Sequence, residues 1–86
     1  MEIEVTVNNP TGLHSRPATK LVNTATQFKS EIKIFNGEKE ANAKRIISLL
    51  KLGASKGCKV RILAEGEDEQ KAIEAIEELF LSNFGE

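Results

Sequence analysis

The sequence predicts an α+β fold in which helices pack on one face of a single β-sheet. Three observations carry this. Segments with an apolar residue at every second position interleave with segments whose apolar residues recur every three or four. The order of the two kinds reads β-α-β-β-α-β-α. The connections are short, so the two βαβ-like units favour one shared sheet. With 86 residues the chain makes one domain, residues 1–86, large enough for a modest core and too small for an added catalytic unit. There is no internal repeat, linker or low-complexity tract.

In chain order, Ile3, Val5 and Val7 alternate with polar residues, which reads as a half-buried strand. Ala18, Leu21, Val22, Ala25 and Phe28 then fall on one face of a helix. Ile32 and Ile34 mark a second strand, and Asn36-Gly37 is a hairpin signal. The partner strand, Lys39 to Ala43, has few apolar residues and suits a sheet edge. A short helix is expected over Lys44 to Leu52, ending at Gly53. Val60, Ile62 and Ala64 form the last strand. Ala72, Ile73, Ile76, Leu79 and Phe80 form the last helix, with Asp68 as its expected N-cap.

The short helix has two apolar stripes. At about 100° per residue, Ile46, Ile47 and Leu50 cluster on one side, with Leu49 and Leu52 roughly 140° around the axis. Either one stripe faces the sheet and the other faces outward, or a tilted helix buries both.

Composition narrows the function classes. A single cysteine, Cys58, excludes an internal disulfide and fits a reducing compartment. It abuts the alternation around Val60, as a half-buried small side chain would. One His and one Cys far apart cannot fill a structural zinc site, so no metal is expected. No stretch is apolar enough to span a bilayer, and Met1-Glu2-Ile3-Glu4 is unlike a signal peptide, which together suggest a cytoplasmic protein. The net charge of −1 hides a division. Residues 1–64 hold eleven Lys and Arg against five acids (+6), and residues 65–86 hold one against eight (−7). With no Trp or Tyr and only four Phe, stacking platforms for nucleic acid are scarce. Docking to an acidic protein surface suits the basic part better.

The basic part contains Gly12-Leu13-His14-Ser15-Arg16-Pro17-Ala18. This places the only histidine one or two residues before the expected helix start, with an arginine two residues further on. An unperturbed imidazole, with a pKa of about 6.5, is largely neutral and nucleophilic near neutral pH. A helix N-terminus supplies free N–H groups and positive dipole to an anion formed there. Arg16 adds a forked, permanently charged donor suited to phosphate, and Pro17 is tolerated in a first helical turn. By residue type alone, a surface histidine beside an arginine is ordinary solvated surface. The whole seven-residue string sets it apart.

That string resembles the active-site signature of the histidine-containing phosphocarrier protein (HPr) family of the bacterial phosphoenolpyruvate-dependent sugar phosphotransferase system. Ser15 stands where the family usually has alanine. The resemblance extends over the whole chain and implies a four-stranded antiparallel sheet of order 1-4-2-3, an open-faced sandwich with three helices on one face. It implies a carrier rather than a stand-alone enzyme. Enzyme I would pass a phosphoryl group to Nδ1 of His14, and the carrier would hand it to enzyme IIA domains. Arg16 and the backbone N–H groups of Ser15, Arg16 and Ala18 would hold the phosphate. Ile46, Ile47 and Leu50, rimmed by Lys44, Arg45 and Lys51, would form the docking patch. No cofactor or nucleic acid is implied, a monomer is expected, and no catalytic acid or water-positioning group is expected near His14.

One departure concerns regulation. Many family members carry a kinase-modified serine at the start of the short helix. Here the segment reads Asn42-Ala43-Lys44-Arg45-Ile46-Ile47, with Arg45 in the serine's place, so that switch is expected to be absent. Ser48 is a poor substitute because it lies inside the helix. The loop around Glu38 to Ala41 reads as one residue longer than in relatives. Two other roles fit the same chemistry. One is a family paralogue that docks regulatory partners. The other is a carrier of a nitrogen-related or dihydroxyacetone-kinase branch.

Overall fold

The computed structural model describes all of residues 1–86. Its elements are β1 (Glu2–Thr6), α1 (Ser15–Ala25), β2 (Glu31–Asn36), β3 (Lys39–Asn42), α2 (Ile46–Leu50), β4 (Lys59–Glu65) and α3 (Glu69–Leu81). The strands form one antiparallel sheet in the order β1-β4-β2-β3. Three helices complete it, as the sequence implied.

Central strand β4 buries Val60, Ile62 and Ala64 and exposes Lys59, Arg61 and Glu65, so alternation becomes one covered face and one open face. On β2 the buried residues are Ile32 and Ile34, the latter paired with Ile62. Edge strand β1 leaves Ile3 and Val5 only half-buried, while Val7, just past its end, is fully buried. Across the covered face lie Ala18, Leu21 and Ala25 of α1 and Ala72, Ile73, Ile76 and Phe80 of α3. On the open face Arg61 stacks over Phe35, 4.7 Å from the ring centre, and contacts Glu2 at 3.2 Å. Half-buried Phe28 packs against the core, but from the turn beyond α1 rather than from the helix.

Two local readings are corrected. The hairpin turns on Gly37-Glu38 rather than Asn36-Gly37, because Asn36 still pairs with Lys39 and Gly37 alone takes positive φ, at 62°. The Asn36 amide instead donates to the Leu52 carbonyl at 2.9 Å. Lys39 to Ala41 belong to β3. Helix α2 is shorter than Lys44–Leu52. The Asn42 carboxamide accepts the Lys44 N–H at 2.9 Å, and Arg45 remains extended at φ −130°.

Asp68 occupies the N-cap position of α3, yet its side chain makes no capping bond. The carboxylate turns to the segment entering β2, accepting the N–H of Lys29 at 2.8 Å, the N–H of Ser30 at 2.9 Å and the Ser30 hydroxyl. The Ser30 hydroxyl, followed by the Lys29 N–H, holds its pKa down to about 2. Because the folded state lowers this pKa, its stabilisation is complete above the unfolded value of about 3.9. It is lost as pH falls through about 2. Asp68→Asn turns an amide donor toward backbone donors, and is expected to lower the melting temperature by several degrees at pH 7. Thermal melts from pH 7 to 2 should show that deficit narrowing below pH 4; a deficit independent of pH would contradict the assignment.

Candidate functional site

His14 is presented by a loop fastened from beneath. Leu13 is buried and donates its N–H to the Ala54 carbonyl at 2.9 Å, while the Gly57 N–H reaches the Val7 carbonyl at 2.7 Å. Gly12 has φ +66°, and a Cβ added there would lie 2.6 Å from the Ala54 oxygen and 2.8 Å from the Ser55 Cα. The loop therefore sits against the 54–57 segment as closely as glycine permits.

Immediately after Leu13, His14 is itself the N-cap of α1, so the helix begins one residue on and no spacer intervenes. Its backbone is extended (φ −85°, ψ −173°), its side chain is exposed, and the imidazole makes no capping bond. The His14 carbonyl accepts the Ala18 N–H at 2.9 Å. This corrects one expectation: the Ala18 donor is already used as the first intrahelical bond. Pro17 has no N–H, so the free donors of this first turn are those of Ser15 and Arg16. The Arg16 side chain is exposed and takes part in no ion pair.

A shallow depression of ≈250 Å³ is lined by Thr11, His14, Ser15, Arg16, Pro17 and Glu86. Glu86 is the residue that sequence reasoning missed: it brings a carboxylate to the wall of the depression that holds His14. Beyond α3 the chain turns back through Asn83 (φ 54°) and Phe84 (φ 55°), both left-handed. Phe84 is buried against Phe80, ring centres 4.9 Å apart, and its carbonyl accepts the Lys20 ammonium at 2.5 Å. Glu86 then accepts the Thr11 hydroxyl at 2.8 Å, the Thr11 N–H at 3.5 Å and the Asn9 amide at 3.4 Å. These bonds, the Thr11 hydroxyl first and the Arg16 charge least, hold the Glu86 carboxyl below the usual carboxylate range. Its oxygens are thus engaged by the loop. A larger depression of ≈420 Å³ lies at the start of α3 among Glu67, Asp68, Gln70, Lys71 and Glu74, where three carboxylates would repel a phosphate. No group of three His, Cys, Asp or Glu side chains is placed to hold a metal ion.

On α2 the fork between the two stripes is settled. Leu49 and Leu52 are buried, whereas Ile47 is 61% and Leu50 37% exposed. Ile46 is half-buried against the core, so the outward patch is narrower than the three residues expected. Arg45 and Lys51 are exposed around it. Lys44 does not join them: its ammonium donates to the Phe28 carbonyl at 2.8 Å, fastening α2 to the turn after α1. The Ser48 hydroxyl is also engaged, accepting the Asn42 N–H at 2.9 Å. Cys58 is half-buried, as expected, with Sγ 3.6 Å from the Ser55 hydroxyl.

The family model described as PTS HPr component phosphorylation site matches residues 1–82. The chain belongs to the HPr family. It is 42% identical to the phosphocarrier protein HPr of Xylella fastidiosa (strain Temecula1), over 100% of this chain and 97% of that relative. It is 40% identical to the multiphosphoryl transfer protein of Salmonella typhimurium, covering 100% of this chain but only 24% of that much longer protein. The crystal structure of HPr-C-His from Thermoanaerobacter tengcongensis superposes with a TM-score of 0.97 at 44% identity, over 100% and 97% of the two chains. The HPr fold therefore accounts for the strand order and the three helices. No helix is long and apolar enough to cross a membrane.

Proposed function

We propose that the chain carries phosphoryl groups on His14, taking them from phosphorylated enzyme I and giving them to enzyme IIA domains for sugar uptake. The observation that carries this reading is the exposed, unbonded imidazole at the N-cap of α1, beside the free N–H groups of Ser15 and Arg16 and an unpaired guanidinium. In the transfer, the Nδ1 lone pair of neutral His14 attacks the donor phosphorus. The bond between phosphorus and the donor breaks, and the donor's leaving atom departs with the electron pair. Arg16 and the two N–H groups then balance the charge on the phosphoryl oxygens. The product is a carrier intermediate, and the chain is not a stand-alone enzyme. The exposed Ile47 and Leu50, flanked by Arg45 and Lys51, form the surface on which both partners dock.

Serine-kinase control is absent in this reading. Arg45 cannot accept a phosphoryl group in this way, and the Ser48 hydroxyl is already bonded to the end of β3.

Onward transfer tests the role. Chain phosphorylated with labelled phosphoenolpyruvate and enzyme I is mixed with an enzyme IIA domain, and label is expected to move to the second protein within the mixing time. Label that stays on the chain while a stable complex forms would favour a regulatory docking module instead. Arg16→Ala is expected to slow acceptance on the order of 10- to 100-fold while leaving the melting temperature unchanged. An unchanged rate would show that the guanidinium does not touch the phosphate.

A further inference from the structure

Asn9 has the burial of a core residue, 1% exposed, and side-chain chemistry that a core does not need. Its side-chain amide donates to the Gly12 carbonyl at 2.7 Å, and its backbone carbonyl accepts the Gly12 N–H at 3.1 Å. The Gly12 carbonyl and the Leu13 N–H belong to one peptide unit, and Ala54 holds the other end of it at 2.9 Å. That plane is therefore fixed at both ends, one residue before His14. The same Asn9 nitrogen lies 3.4 Å from Glu86 Oε1 and 3.4 Å from the Thr11 hydroxyl, so it also ties in the opposite wall of the depression. The Asn9 Oδ1 is buried without any partner. An unpaired buried acceptor weakens a fold, so what this side chain contributes here is its donors.

We propose that Asn9 is a positioning residue for phosphoryl transfer, orienting His14 through the Gly12–Leu13 peptide and fixing Glu86 at the wall of the site. The inference rests on the carrier reading above. Its test uses the full chain with Asn9→Asp, which keeps the shape and replaces donors by an acceptor, and Asn9→Ala, which brings no charge into the interior. Acceptance from enzyme I is measured well below each variant's melting temperature, together with the ¹⁵N resonances of the His14 imidazole. Loss of orientation is expected to lower kcat on the order of tenfold, with KM within about twofold because the α2 surface is untouched, and to shift the imidazole resonances. If the Asp variant is unfolded, the Ala variant is judged by the same split. A lower melting temperature with unchanged kcat and unchanged imidazole resonances would make Asn9 merely structural and overturn the proposal. Failure of the unmutated chain to accept phosphate would instead overturn the carrier reading, and the imidazole spectra would still decide whether Asn9 orients His14.

Discussion

His14→Ala is expected to abolish phosphoryl acceptance and to leave the fold intact. The chain has no second histidine to take over. The imidazole is exposed and makes no capping bond, so alanine removes neither burial nor a hydrogen bond. The stability cost should stay within about 0.5 kcal/mol, as for surface substitutions away from structural features. Acceptance should fall by as much as the assay can register, because the atom that forms the P–N bond is gone. Circular dichroism and a thermal melt check the first half, and incubation with enzyme I and phosphoenolpyruvate checks the second. Acceptance retained at another residue would remove His14 from the centre of the account.

Ile47→Asp should have the next largest effect, and on docking rather than folding. Ile47 is 61% exposed on a five-residue helix whose buried side is Leu49, so a carboxylate there remains in water. A partner surface that covers Ile47 would have to bury that charge unpaired. KM for enzyme I is expected to rise on the order of 100-fold, with the melting temperature within a few degrees of the parent. Leu49→Ala is the control. It empties a fully buried site and should cost about 2–5 kcal/mol of stability, with little change in KM while the chain stays folded. If Ile47→Asp mainly lowers the melting temperature, the outward stripe contributes to the core and the docking patch lies elsewhere.

What the sequence made legible was what repeats locally. Alternation at Val60, Ile62 and Ala64 names a strand and its buried side, because a period of two admits one arrangement on a half-covered sheet. The run Gly12 to Ala18 placed His14 beside a helix start for the same local reason. Legibility ended where side chains choose among distant partners. Asp68 reads as a cap from its neighbours alone, yet Lys29 and Ser30, some 38 residues away, offer it three donors at once. Which stripe of α2 faces outward depends on how the helix lies against the rest of the fold, and no periodicity contains that. Lys44 reads as a docking charge until the Phe28 carbonyl comes within reach. Glu86 is the extreme case, meeting Thr11 across 75 residues through a left-handed turn at Asn83 and Phe84. The Asn9-Pro10-Thr11-Gly12 composition marks a turn, and nothing in it marks Asn9 as buried.

The most direct test of the carrier role is the intact mass of the unmutated chain after incubation with phosphoenolpyruvate and a bacterial enzyme I, read before and after brief acid treatment. One phosphoryl group per chain that acid removes is the predicted result. No adduct from an enzyme I active on its own carrier, or an adduct that survives acid as a serine ester would, contradicts transfer through His14.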